Sequence, residues 1–450
     1  MSMSVVSPAS LFKFRSKWSL EQLKSYIFLK NYFSFVNFKA KQNKPNIMKT
    51  QDFIDREDLY GAHNYHPLPV VLERGEGVFV WDVEGKRYFD FLASYSAVNQ
   101  GHCHPKIVKA MVDQAGKLAL TSRAFYNNVL GEWEEFMTKL FGYDKILPMN
   151  SGAEADETAL KLIRKWGYKV KGIPENDARI IVCDGNFHGR TITIVSMSSD
   201  PDSYGDYGPF TPGFVKIPYN DLKTLEKELS HPYTAGFLVE PIQAEAGVYV
   251  PEDNYLRKAA QLCKEYNVLL AADEVQTGLC RTGRMLACDH EGVRPDLLIL
   301  GKAASGGMYP VSCVLADDEI MLTIRPGEHG STYGGNPLAA KVSLAAMNVL
   351  LDEKLSENAT AMGKIFRDKM KAFDSPLIEQ VRGKGLLNAI QIRPTNGKHA
   401  WDLCLAMKEN GILAKPTHEH TIRFTPPLII TEAQMNEAIE LIQKSMMEFV

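Results

Sequence analysis

The sequence predicts an α/β protein: a large domain on a mainly parallel sheet, and a smaller α+β domain built from both chain ends. Three observations carry this expectation. From about residue 145, short apolar runs alternate with amphipathic stretches, the pattern of strands and helices in turn. Those runs are apolar throughout, which suits strands covered on both faces. After about residue 345 the alternation gives way to longer helical stretches and a few isolated strand-like runs. A chain of 450 residues is also too long for one simple core.

The elements follow in chain order. The first 50 residues contain nine basic residues and one acidic residue, Glu21, among many serines and aromatics. Residues 1–47 therefore read as a mitochondrial targeting segment or a disordered basic tail, outside the fold. Residues 48–94 read as the N-terminal part of the small domain, with strand-like Val78–Trp81 and Tyr88–Phe91 around a turn at Glu84-Gly85. Residues 95–345 read as the large domain. Strands are expected at Ile146–Met149, Ile180–Cys183, Gly236–Val239, Val268–Ala272, Leu297–Leu300 and Val311–Ala316, and a helix over Glu154–Trp166. Residues 346–450 complete the small domain with a helix over Leu355–Phe373 and strands at Leu386–Ile392 and Ile422–Phe424. A last helix opens on the capping box Thr431/Gln434 and buries Met435, Ala438, Ile439, Ile442 and Met446.

Composition narrows the function. The net charge of −3 argues against nucleic acid or an anionic membrane as partner, and no apolar run has transmembrane length. The seven cysteines are scattered and form no C-x-x-C pair, so reduced thiols are expected rather than disulfides or a zinc site. His102 and His104 flank Cys103 without a further ligand cluster, so no metal site is expected.

Three features at strand ends carry chemistry. Lys302 follows the apolar run Leu297–Leu300 and precedes small residues. A lysine held in a dry site can lose its proton and attack an aldehyde, and small neighbours leave room for the product. Asp273 ends another buried run 29 residues earlier, where a carboxylate is costly unless paired, for instance with a protonated ring nitrogen. Ser151 and Gly152 open a helix after a strand, where N–H groups can receive a phosphate. Taken singly, each has an ordinary reading: an emerging lysine, a capping Asp, a Ser-Gly turn. No dinucleotide or P-loop glycine pattern is present.

Ordered segments extend the picture: Tyr60-Gly61-Ala62-His63-Asn64-Tyr65-His66-Pro67, Tyr95-Ser96-Ala97-Val98-Asn99-Gln100-Gly101-His102, Thr121-Ser122-Arg123-Ala124-Phe125 and Gly327-Glu328-His329-Gly330-Ser331-Thr332-Tyr333-Gly334-Gly335-Asn336-Pro337. With Asp273 and Lys302 they resemble the class III aminotransferases of fold type I, most of all the group using ornithine. The resemblance covers the chain after about residue 55. It implies pyridoxal 5'-phosphate as cofactor, with Lys302 as its Schiff-base lysine and proton shuttle. It implies Asp273 on the pyridinium, Phe187 stacked on the ring, Gln276 on the phenolic oxygen, and Ser151, Gly152 and Ala153 at the phosphate. Ser331 and Thr332 would reach the phosphate of a neighbouring subunit, which implies a homodimer or higher homo-oligomer with shared sites.

For substrates, the resemblance implies the small molecules ornithine and 2-oxoglutarate. Arg423 would bind the α-carboxylate of 2-oxoglutarate, with Glu245 masking Arg423 during the ornithine half-reaction. Arg190 would take the distal carboxylate in a forked contact. Tyr65 and Tyr95 would shape the far end, and they favour ornithine over N-acetylornithine or 4-aminobutyrate. On spacing alone, Arg190 and Arg423 read equally as surface ion-pair residues. Two positions depart from the ornithine-using pattern: Ala244 stands where Gly is usual, and His188 where Trp is frequent. His188 is expected to be a pocket wall, and Ala244 to stiffen its loop if that position needs positive φ.

Overall fold

The computed structural model describes residues 48–395 and 397–449; the expected targeting segment lies outside them. The chain divides into two compact units, the first ending at Val71 and the second running from Leu72 to Val450. Within the described residues of the first unit, helix α1 (Thr50–Tyr60) is followed by an irregular stretch in which Tyr65 is exposed.

The second unit holds three sheets. The largest has seven strands in the order β4–β10–β9–β8–β7–β5–β6. These are β4 (Lys145–Met149), β5 (Arg179–Cys183), β6 (Phe214–Ile217), β7 (Thr234–Val239), β8 (Leu269–Asp273), β9 (Leu297–Leu300) and β10 (Ser312–Ala316). All run parallel except β10, which is antiparallel to both β4 and β9. The expected strands are present within one or two residues, and β6 is an addition, since half-exposed Phe214 and Val215 weaken its apolar run. Helix α2 (Gly152–Lys169) lies on the sheet. Its Ala155, Ala159, Ile163 and Trp166 pack with Ile180, Leu238, Ala271 and Ile299 in one buried cluster. Alanines on the helix let it approach the sheet closely.

The two four-stranded sheets draw on both flanks of the large one. Strands β1 (Leu72–Glu76), β2 (Phe79–Asp82) and β3 (Arg87–Asp90) form antiparallel neighbours, and β3 pairs in parallel with β13 (Ile412–Leu413) near the other end of the chain. The β2–β3 turn is held by Asp82, whose Oδ1 accepts the N–H groups of Glu84 and Lys86. The third sheet, β11 (Ile378–Lys384), β12 (Leu387–Ile392), β15 (Thr421–Phe424) and β14 (Lys415–Thr417), is antiparallel throughout. Helix α3 (Leu355–Ala372) and the last helix, α4 (Glu432–Phe449), pack nearby. The Thr431/Gln434 capping box forms as expected, in both directions. The seven cysteines are all free, and six are buried.

Candidate active site

The parallel strands β4, β5, β7, β8 and β9 end on the same edge of the large sheet, and each is followed by a site residue. Crevices outside the carboxyl ends of parallel strands are where α/β sheets bind ligands, because chain leaves the sheet there without covering it.

Beyond β9, Lys302 is half-buried and opens a short 3-10 turn with φ +43, a left-handed conformation uncommon for a side-chain-bearing residue. Its Nζ donates to Gln276 Oε1 at 3.2 Å. Burial pushes the Lys302 ammonium below its ordinary pKa, although Asp273 and Glu245 pull the other way. That is the condition for an amine to act as nucleophile and proton carrier.

Asp273 is the last residue of β8 and is buried. Its Oδ1 accepts the N–H of Val275 at 2.9 Å and its Oδ2 pairs with His188 Nδ1 at 2.7 Å. His188 is therefore more than a pocket wall. Burial alone would lower its pKa, but the bond to Asp273 and the nearby carboxylates outweigh that and raise it. Two further buried acids surround the pair. Asp156 Oδ1 lies 3.8 Å from His188 Nδ1, and Glu240 accepts the Phe187 N–H at 2.9 Å. Burial drives both carboxyls up, Glu240 to about 8. Asp156 and Glu240 escaped the sequence reading; an acid in the middle of a helix's apolar face was the available signal for Asp156.

At the end of β4, Ser151 caps α2. Its Oγ accepts the Glu154 N–H at 3.2 Å, and the Glu154 carboxylate accepts the Ser151 N–H at 2.9 Å. The turn is a capping box, closed in both directions. A Cβ on Gly152 would stand 3.0 Å from Val275 Cγ1, so a side chain there would have to push Val275 aside by a few tenths of an ångström. Ala153 follows in the first turn of the helix. Ser331 joins this corner through a 2.9 Å bond from Asn150 Nδ2, and Thr332 beside it is exposed.

The residues expected to bind substrate divide. Arg423 on β15 is buried, not a surface ion pair, and forms a two-pronged contact with Glu245: Nη1 to Oε2 at 2.7 Å and Nη2 to Oε1 at 3.1 Å. Burial would raise the Glu245 carboxyl, but Arg423 overcomes it and holds the group below its ordinary pKa, with Lys302 and Arg190 contributing. Arg423 Nε is buried without a partner. Its guanidinium lies 5.2 Å from the Tyr95 ring centroid. Arg190 is exposed, 5.6 Å from the Phe187 ring centroid. Tyr65 lies in the first unit and is exposed. Ala244 does not need positive φ; it packs with Ile242, Val248, Leu387 and Ala389, and Val248 carries the left-handed conformation instead. His102 and His104 are structural, paired with Asp90 at 2.7 Å and Glu353 at 3.1 Å.

These residues fit the expected pyridoxal phosphate. Gln276 Nε2 and His188 Nε2 are buried nitrogens without partners, beside a half-buried lysine and a buried acid. An aldehyde-bearing pyridine phosphate would complement that set: aldehyde to Lys302, ring nitrogen to Asp273, phosphate to the Ser151-Gly152 turn.

Comparison with known proteins agrees. The family model described as aminotransferase class-III matches residues 60–446. The mitochondrial ornithine aminotransferase of Rattus norvegicus is 59% identical over 411 residues, 91% of this chain and 93% of its own length. The ornithine aminotransferase of Toxoplasma gondii, whose solved structure has partial occupancy of PLP at its active site, aligns with TM-score 0.89 and 47% identity over 92% of this chain and 97% of that one. The acetylornithine aminotransferase of Elizabethkingia anophelis aligns with TM-score 0.82 and 58% identity over 89% of this chain and 100% of that one. A half-buried lysine and a buried acid at the carboxyl edge of a largely parallel sheet, within a match spanning most of the chain, place this protein in the class-III aminotransferase family, enzymes that work with pyridoxal phosphate on small-molecule substrates.

Proposed function

We propose that the enzyme transfers the δ-amino group of ornithine to 2-oxoglutarate by a ping-pong mechanism, giving glutamate 5-semialdehyde and glutamate. The observation that carries this reading is the Arg423–Glu245 fork, whose charges both act on Lys302. An enzyme that takes a terminal amine and then an α-keto acid must hide a carboxylate-binding arginine in one half-reaction and expose it in the other. A paired, buried guanidinium with one unpartnered nitrogen supports that use.

The bound cofactor supplies an electron-withdrawing ring that stabilises negative charge on the carbon losing its proton. Lys302 Nζ takes the proton from the substrate carbon bearing the amine. Asp273, braced by His188, would hold the cofactor's ring nitrogen, and Phe187 and Gln276 would hold its ring. Gly152, Ala153 and Ser151 would hold its phosphate. Arg190 receives the distal carboxylate of 2-oxoglutarate, and Tyr65 and Tyr95 position ornithine's α-amino acid head. Ser331 and Thr332 serve the cofactor of the partner subunit in a homodimer. Residues 95–345 form the cofactor-bearing domain, and the chain ends the small one. The basic composition of residues 1–47 and the mitochondrial names of relatives support the mitochondrial matrix as its compartment.

The test is a half-reaction with purified holoenzyme and no keto acid. Ornithine should bleach the visible absorbance of the lysine-bound cofactor at least about tenfold faster than N-acetylornithine or 4-aminobutyrate. Faster bleaching by N-acetylornithine would favour the activity carried by the Elizabethkingia relative's name.

A further inference from the structure

Away from the active site, three potential metal ligands converge where the β14–β15 hairpin meets a helix start. Glu419 and His420 lie in the hairpin's turn, between Thr417 and Thr421. His399 immediately precedes the helix Ala400–Glu409. The two segments are tied through the backbone: the Ala400 N–H donates to Glu419 O at 3.2 Å, and the Ile392 N–H donates to His420 O at 2.8 Å. The Asp402 carboxylate fixes the helix start by accepting the His399 N–H at 2.8 Å. The ligands are therefore held by backbone pairing and not by chance contact of loose side chains.

The three side chains face one another without satisfying one another. His399 Nδ1 is 3.6 Å from Glu419 Oε1, and His420 Nε2 is 3.6 Å from Glu419 Oε2, both beyond hydrogen-bond reach. The Nδ1 atoms of His399 and His420 are shut off from water and have no partner. The imidazole centroids are 5.5 Å apart. One ligand atom from each residue can be chosen so that all lie within 4.8 Å of one another.

We propose that His399, Glu419 and His420 form a site for a divalent transition metal, with zinc as the ion they suit. Two imidazoles and one carboxylate are a borderline nitrogen–oxygen set, which favours zinc over calcium or magnesium, ions that prefer oxygen alone. Tetrahedral zinc at bonds of about 2.0–2.2 Å places its ligand atoms roughly 3.3–3.6 Å apart. Closure on the ion therefore takes side-chain movements of only about 1 Å. Glu419 is exposed, so water can fill the fourth position. Occupancy would link the helix start to the hairpin whose second strand carries Arg423, three residues beyond His420. The spacing in sequence hides the site, because His399 and His420 are brought together only by the strand pairing between them.

The experiment is a zinc titration of full-length holoenzyme against a chromophoric chelator, beside His399→Ala, His420→Ala and Glu419→Gln. The expected result is one zinc per chain in the parent, weakened at least about tenfold in each histidine variant and less in Glu419→Gln. Zinc should also raise the melting temperature of the parent but not of His420→Ala, since only the native fold assembles the site. Cofactor absorbance in each variant reports that it remains folded. Equal binding by parent and variants would overturn the proposal and assign the zinc to another group, such as the exposed Cys103 thiol. Absence of binding at tens of micromolar zinc would overturn it as well.

Discussion

At the residue scale, the proposed substrate logic rests on one pair of side chains. Glu245 and Arg423 stand 178 positions apart and meet in a two-pronged contact with the guanidinium buried. Replacing Glu245 by Gln keeps the shape and removes the mask. Breaking such a pair leaves a buried charge uncompensated, a cost of about 3–5 kcal/mol unless substrate supplies a new partner. In Glu245→Gln we expect kcat/KM for ornithine to fall at least about tenfold while that for glutamate holds or rises, measured as separate half-reactions. Equal losses for both donors would mean that Glu245 does not discriminate between them. The types of these residues were readable in the sequence, but their burial was not: spacing alone left Arg423 balanced between surface and site. His188 was underread for the same reason, since its partner Asp273 is 85 positions away.

At the element scale, helix α3 shows how tightly some pieces must dock. Gly363 faces the turn between β11 and β12, and a Cβ there would meet Gly385 O at 1.7 Å, a backbone atom that cannot swing aside. Arg367, one turn on, locks the same turn by donating to Gly385 O at 2.7 Å and Asn388 Oδ1 at 2.6 Å. Gly363→Ala gains helix propensity in principle, yet overpacking of this kind costs about 1–3 kcal/mol or more. The expected outcome is a lower melting temperature by thermal scan; an unchanged or raised one would show that the helix shifts freely. Another element reverses ordinary preference: Ala93, Ser94, Tyr95 and Ser96 all have positive φ. Such a left-handed turn costs about 1–2 kcal/mol per residue. It is anchored by Asp90, whose Oδ1 accepts the Leu92 and Ala93 N–H groups at 2.9 and 2.8 Å. Nothing in Ala-Ser-Tyr-Ser announces it, because the compensation comes from outside the segment.

At the scale of the whole molecule, stability and assembly can both be probed. His290 donates from Nε2 to Thr282 O at 3.0 Å, and burial, aided by nearby Lys384 and Arg284, depresses its pKa to about 4. Between the ordinary histidine value of about 6.5 and that value the unfolded chain binds the extra proton, so stability is lost as pH falls. His290 remains partly open to solvent, so the effect is small. Between pH 7 and 5 the melting temperature of His290→Gln should fall about 1–2 °C less than that of the parent, and parallel slopes would remove His290 from the account. For assembly, mixing inactive Lys302→Ala subunits with Thr332→Val subunits tests the shared site. If Thr332 serves the partner's cofactor, each mixed dimer regains one intact site and activity rises above that of either parent. Flat activity in dimers shown to be mixed would place Thr332 in its own subunit's site.

The α/β class, the order of most strands and helices and the closing capping box follow from local pattern, which also marks Lys302 and Asp273 as strand-end candidates. Apolar runs, helical periodicity and strand-end residues are set by interactions within a few positions, which sequence displays directly. The reversal of β10 against its neighbours, the parallel pairing of β3 with β13, the His188–Asp273 bond and the burial of Arg423 depend on contacts between residues tens to hundreds of positions apart. Each is decided by which surfaces and charges must be buried together once the chain has folded, and that sum is made only in the tertiary structure.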